Sequence, residues 1–247
     1  MKKIPVLSLI AALSCGSVAY AGTMGPVENT SCCLSSFLAL EGGYSWNQID
    51  GYNYSLTGIS GRLYSRESNN GFTGRLSAGI VRTIDEIFSL STEIGYGYYG
   101  RTTLNPVTSG LATPLPGMLH IRHTLSGFDA LAGIAYTDPN YSVYLKAGAL
   151  VQNMTSKVNA DFTPLGLPLV AVFSNSTNHT AVLPELKVGA SYNVLPNWAL
   201  TASYLHAFGA SPKESGNFNV LTGNASFYSN TRNSSIDAVL LGVQYSI

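Results

Sequence analysis

Eight stretches of this chain alternate apolar residues with small or polar ones, and this period of two constrains the fold more than any other property. They fall near 36–47, 71–84, 87–100, 120–137, 141–157, 180–193, 198–208 and 235–247. Asp85-Glu86, Asp138-Pro139-Asn140 and Leu195-Pro196-Asn197 make tight turns between them. The other connections run to roughly 20 residues or more, a length rare in compact soluble domains. An even strand count with short connections at one end and long ones at the other predicts an eight-stranded antiparallel up-and-down transmembrane β-barrel.

The composition agrees. Charged residues make up 11% of the chain, where a soluble domain carries roughly 25%. No stretch after the N-terminal leader reaches the roughly 18 to 20 apolar residues of a membrane helix; the longest candidate, 165–173, is short and contains Pro168. Any membrane crossing must therefore be made by strands, and closed sheets satisfy strand backbone groups in lipid.

Lys2 and Lys3 precede an apolar run from Ile4 to Leu13, and Ala19-Tyr20-Ala21 has the small-x-small form of a peptidase site. Residues 1–21 are thus expected to be a signal peptide cleaved after Ala21, which directs the chain out of the cytoplasm. Residues 22–35 are expected to form a short periplasmic segment, and 36–247 the barrel. Removing Lys2 and Lys3 leaves 11 basic residues against 13 acidic ones, with no basic patch of the kind nucleic acid requires. Cys32 and Cys33 are adjacent, without CxxC spacing or a neighbouring histidine. They are open to a structural or intermolecular disulfide but are poor candidates for redox catalysis or metal binding, and no cofactor is expected.

Parity assigns a face to each residue. Leu38, Leu40, Leu76, Ile80, Leu90, Ile94, Val143, Leu145, Leu186, Val188 and Leu200 share the outward set. The inward set gathers Glu41, Arg75, Glu93, Asp129, Lys146, Glu185 and Lys187. An eight-stranded barrel is just wide enough for side chains to fill it, so these charges are expected to pair as a network that plugs the lumen, with a narrow ion path as the alternative. The fourth strand is the least regular, because Leu131 shares the parity of Asp129. Pro184 cannot donate a ladder hydrogen bond, so a fray or bulge is expected there.

A soluble barrel would show the same alternation turned inside out, but the outward aromatics are sorted by height. Phe88, Tyr136, Tyr141, Tyr192, Trp198 and Tyr245 lie at the short-turn ends, and Tyr44, Trp46, Phe72, Tyr96 and Tyr98 at the long-loop ends. Two such girdles suit the two interfaces of a bilayer.

Catalysis is not expected. A lipase or deacylase dyad would place His and Ser two residues apart on one strand face, yet His120 is followed at that spacing by Arg122, His123 by Leu125, His179 by Ala181 and His206 by Phe208. His120 and His123 are expected at a wet rim. The connections 48–70 and 211–234 are polar and read as solvated loops. "LATPLPGML" and "FTPLGLPLVAVF" are apolar and suit either packing over the barrel mouth or contact with a partner.

With the eight-strand pattern, "GFDALAGIAY" at 127–136, the closing "LLGVQYSI" at 240–247 and "GTMGPV" after Ala21, the chain resembles the small bacterial outer-membrane β-barrels that include the OmpA transmembrane domain and opacity-type surface proteins. The resemblance covers roughly 36–247. It implies residence in the outer membrane among its lipid and lipopolysaccharide, and a structural or surface role in which long loops contact a host or envelope partner. It also implies recognition by the barrel assembly machinery through a closing signal at Gly242, Tyr245 and Ile247. The family usually ends in Phe where this chain has Ile247, and Leu240 stands where a polar residue is usual. No domain follows the barrel in this sequence, so no peptidoglycan binding is expected.

Overall fold

The structure, a computed structural model, describes residues 34–56, 59–63, 70–85, 87–104, 119–161, 172–210, 213–220 and 223–247. Ala21, Cys32, Cys33 and most of the two apolar connections lie outside the described residues. Eight long strands form the wall: β1 (Leu34–Leu56), β3 (Asn70–Thr83), β4 (Phe88–Leu104), β5 (Leu119–Thr137), β6 (Tyr141–Asp161), β7 (Val172–Leu195), β8 (Trp198–Ala210) and β10 (Gly223–Ser246). Each pairs antiparallel with the next, and β10 closes on β1.

The closing register runs from Phe37↔Ser246 to Trp46↔Asp237. At its lower end, Ile247 N donates to Ser36 O at 2.8 Å and Ser36 N to Ile247 O at 3.2 Å. The final octapeptide is therefore the eighth wall strand, and closure removes the unpaired edges that an open sheet would expose.

The tight turns are fixed by their own chemistry. Asp85 Oδ1 accepts from Ile87 N at 2.9 Å and Phe88 N at 2.6 Å, the Asx device that lets a short polar side chain stand in for turn backbone. Asp138 N donates to Tyr141 O at 2.8 Å.

At the other end the strands run further than alternation indicated. β1 continues to Leu56 and pairs there with both β2 (Ile59–Leu63) and the distal half of β10, while β10 also pairs with β9 (Lys213–Val220). Much of what reads as polar loop in 48–70 and 211–234 is thus sheet rising above the barrel, with irregularities between Gln48 and Tyr52. Asn, Ser and Tyr recur there at both parities of the sequence, so no amphipathic contrast marks these strands and they mimic a loop.

Pro184 produces no bulge toward β6, where the register is unbroken from Tyr141↔Tyr192 to Asp161↔Val172. The ladder with β8 instead begins at Glu185↔Ala207, one residue short of the proline. The irregular fourth segment is also explained: Leu131 and Asp129 are both buried and both point inward.

Candidate functional site

The interior is stacked in layers. At its centre the Arg75 guanidinium spans the lumen: Nε donates to Asp129 Oδ2 at 2.8 Å and Nη1 to Glu41 Oε2 at 2.9 Å, while Nη1 and Nη2 also bond Glu93 and Asp129. Lys187 Nζ reaches Glu41 Oε2 at 2.7 Å and Glu93 Oε1 at 3.3 Å, and Lys146 bonds Glu93. Six of the seven expected lumen charges therefore form one network. Register explains why, since Glu41 faces Arg75 directly across β1 and β3, and Lys146 faces Lys187 across β6 and β7. Two ammonium groups in direct opposition need the carboxylates between them.

The seventh charge stands apart. Glu185 is 1% exposed, and neither carboxylate oxygen has a hydrogen-bond partner among the described residues.

Neutral side chains complete the layer. Ser203 Oγ donates to Glu41 Oε1 at 3.2 Å and Tyr99 OH to Asp129 Oδ2 at 3.3 Å. The Lys146 ammonium lies 4.8 Å from the Tyr144 ring centre and 5.1 Å from that of Phe37, within cation–π range. Gly95 makes room for the guanidinium, since a Cβ there would lie 2.7 Å from Arg75 Nη2.

Above the ions lies a dry layer that alternation did not reveal. Tyr99, Leu125, Leu150, Met154, Leu183, Leu205, Ile236 and Leu240 pack as one buried cluster. On the strands that also carry lumen charges the cluster lies on the loop side of them: Leu125 above Asp129, Leu150 above Lys146, Leu183 above Glu185 and Tyr99 above Glu93. An apolar residue at inward parity looks, in sequence, like a lapse in alternation. His123 is also buried, not on a wet rim as its sequence position implied. It sits inward between Thr102 and Ser156.

The wall bends where β4 bulges between Tyr98 and Arg101. Gly100 has φ +89° there, a conformation that costs little without a Cβ. The freed Tyr99 carbonyl accepts from Ser45 Oγ at 2.9 Å and Asn47 Nδ2 at 3.2 Å.

Outside, every aromatic assigned to a girdle points away from the lumen. At the turn end Phe88–Tyr136 ring centres lie 6.1 Å apart and Trp198–Tyr245 4.9 Å apart; at the loop end Tyr44–Trp46 are 5.5 Å and Tyr44–Phe72 6.1 Å apart. Phe128, 4.7 Å from Tyr96, extends the upper band. A second outward feature escaped the sequence: Asp237 Oδ1 accepts from Tyr204 OH and lies 2.7 Å from His206 Nδ1. That contact depends on a register between strands about 30 residues apart, and spacing tests on His206 alone could not find it. No serine, threonine or cysteine bonds His206 among the described residues. No set of three or more His, Cys, Asp or Glu among them is arranged to hold a metal ion.

A closed antiparallel barrel whose exterior is apolar between two aromatic bands, with the charges at that depth turned inward, defines an integral outer-membrane β-barrel protein. Residues 69–245 match the family described as OmpA-like transmembrane domain, and the chain belongs to that family. No curated protein sequence matches it. Among solved structures it is similar to outer-membrane protein OprG of Pseudomonas aeruginosa, at 10% identity and a TM-score of 0.51 over 86% of this chain and 96% of that one. The outer-membrane protease OmpT of Escherichia coli is similar at 8% identity and a TM-score of 0.50, over 87% and 96%. Ail, the attachment invasion locus protein of Yersinia pestis, aligns at 14% identity with a TM-score of 0.37, over 86% and 99%. At these identities the likeness is one of fold.

Proposed function

We propose that this outer-membrane barrel serves a structural and surface-contact role without catalysis. Its lumen is closed by paired charges, and the extracellular ends of its strands, with their loops, form the contact surface for an envelope or host partner. The observation that carries this reading is the stacking of a dry leucine-rich layer on the ion layer. An ion entering from outside would have to shed water in the first layer and then break charge pairs in the second, each step costing several kcal/mol or more. The contact surface stands on sheet: the β1–β10 ladder continues to Leu56↔Phe227, roughly 30 Å along the strand beyond Trp46 at about 3.3 Å per residue. In the same reading the aromatic bands anchor the barrel at the two interfaces, and Gly242, Tyr245 and Ile247 form the signal read by the assembly machinery.

The Tyr204–Asp237–His206 group has an acid beside an imidazole, but among the described residues no serine, threonine or cysteine completes an acyl-transfer triad with it. The second reading, a narrow channel for ions or small solutes, is favoured by one observation: the Glu185 carboxylate has no hydrogen-bond partner among the described residues. Planar-bilayer recording of the refolded protein tests both. Closed traces support the plug, whereas reproducible conductance that disappears with Arg75→Ala or Glu93→Gln sinks it.

A further inference from the structure

On the outward face of β5 and β6 the cross-strand pairs change character in order of height. Ile134–Leu145, Ala132–Ala147, Ala130–Ala149 and Phe128–Val151 are apolar; Ser126–Asn153 and Thr124–Thr155 follow; then Arg122 faces Lys157. Arg101, opposite Thr124 on β4, lies diagonal to Arg122. All three cations are exposed, and none has an ion-pair partner among the described residues.

Direct cross-strand neighbours have Cβ atoms about 5 Å apart, and like charges so placed repel. Among the described side chains nothing within the wall offsets this pair, since the other outward ones above Phe128 are Thr103, Thr124, Ser126, Asn153, Thr155 and Asn159. On the opposite flank the pair at the upper edge is His206–Asp237, which supplies its own carboxylate. Among the described residues the β4–β6 flank thus carries a positive ledge with no facing carboxylate.

Its height is informative. From Phe88 to Tyr98 the strand rises about 33 Å, or about 25 Å along the barrel axis at a tilt near 40°, which is the apolar band of an outer-membrane barrel. Arg101 and the Arg122–Lys157 pair then sit roughly 7 to 13 Å above the Tyr98 band by the same arithmetic. That is the layer of lipid headgroups. Hydroxyl and amide side chains lie between the acyl level and the cations, where sugar hydroxyls would need partners.

We propose that Arg101, Arg122 and Lys157 form a binding ledge for the phosphates of the outer-leaflet phosphorylated glycolipid, with one phosphate bridging Arg122 and Lys157. The inference rests on the outer-membrane placement and names one contact of the surface role proposed above. A guanidinium offers paired donors to phosphate and the lysine a mobile point charge, which suits a tetrahedral anion shared between two strands. The polar steps below distinguish this occupant from a simple phospholipid, whose headgroup would sit at the acyl boundary.

The test uses the full chain refolded into phosphatidylcholine nanodiscs. Binding of fluorescent lipopolysaccharide is compared with that of the same glycolipid stripped of phosphate and with phosphatidylglycerol, for wild type, Arg122→Gln, Lys157→Gln and the double variant. Arg82→Gln, at the opposite rim, is the control. Each single change should weaken binding of intact lipopolysaccharide about fivefold and the double change about 25-fold, with the control unaffected. Stripped glycolipid and phosphatidylglycerol should bind wild type no better than lipopolysaccharide binds the double variant. Unchanged binding by the double variant overturns the proposal, as does equal binding of either comparison lipid. Wild-type binding must also weaken as salt rises, and salt-insensitive binding overturns the proposal even if a variant fails to fold. Bilayer recording of the same preparations tests the plugged-lumen reading separately.

Discussion

Replacing Gly95 with alanine tests whether the ion layer is held by geometry or merely by charge. A Cβ at this position would lie 2.7 Å from Nη2, 2.8 Å from Cζ and 2.9 Å from Nε of Arg75, well inside the 3.5 to 4.0 Å of a comfortable contact. A free arginine would swing aside at little cost. This one is bonded to Glu41, Glu93 and Asp129 at once, so retreat from the new methyl lengthens bonds to at least one carboxylate. Overpacking of this kind costs about 1 to 3 kcal/mol, while alanine regains about 0.5 to 1 kcal/mol over glycine within a strand. The net loss should be about 1 to 2 kcal/mol.

In an Arg75→Ala background the obstruction is gone and only the strand gain remains, so Gly95→Ala should turn neutral or stabilising. Arg75→Ala alone should cost about 3 to 5 kcal/mol, because carboxylates stay buried without their main partner. Urea unfolding in lipid vesicles, followed through the fluorescence of Trp46 and Trp198, gives all four corners of the cycle. A coupling of about 1 to 3 kcal/mol is expected. Equal destabilisation by Gly95→Ala in both backgrounds would refute the argument.

Two of the three lumen glutamates, Glu93 and Glu185, should respond in opposite ways. Glu93→Gln removes the negative charge and one of the two oxygens that accept from Arg75, Lys146 and Lys187 and should cost about 3 to 5 kcal/mol in the same unfolding assay; Glu185→Gln changes a carboxylate with no hydrogen-bond partner among the described residues and should be neutral or stabilising. Tyr245→Asp puts a charge on the outer face and breaks the 4.9 Å contact with Trp198, so the heat-modifiable folded band should fall sharply in outer-membrane fractions; normal assembly would count against the proposed role of the closing strand. Asp237→Ala should cost about 1 kcal/mol, given its partial exposure, and Tyr204→Phe should add little in that background, which a second double-mutant cycle would read.

The legible part of the fold was the part with two unlike faces. Leu186, Val188, Ala190 and Tyr192 against Glu185, Lys187, Gly189 and Ser191 can be assigned because one set is apolar and the other is not. Above Trp46 the sequence of β1 no longer keeps apolar residues to one parity, and the strand reads as a loop. In β10 the reverse happens: Leu240 and Leu241 point to opposite faces, and only continuity with Gly242 and Gln244 assigns them. Six lumen charges meet because strands distant in sequence share a height, and parity supplies the face but not the height. Spacing tests for a histidine dyad likewise search one strand and cannot see Asp237 on the next.

The ion layer has a further consequence for assembly. Replacing a buried charge cluster by well-packed apolar side chains is often neutral or stabilising, so stability alone gives little reason to keep one inside a barrel already apolar outside. Register supplies the reason. A slip of one residue exchanges the two faces of a strand, and in the upper layer that exchange is cheap, as Leu240 for Leu241 shows. Through the middle it is not. A slip of β3 or β7 would turn Arg75 or Lys187 into lipid, at about 2 to 4 kcal/mol for a cation at the midplane, and would strand the carboxylates left behind. For β10, which has no lumen charge among its described side chains, the same control comes from its neighbour: Gly242 lies opposite Glu41, and a Cβ there would fall 2.9 Å from Glu41 Cγ. A slip would bring Leu241 or Val243 into that space against a glutamate held by Arg75 and Lys187. The charge layer therefore sets the register of the closing strand through shape, although that strand contributes no ion to it.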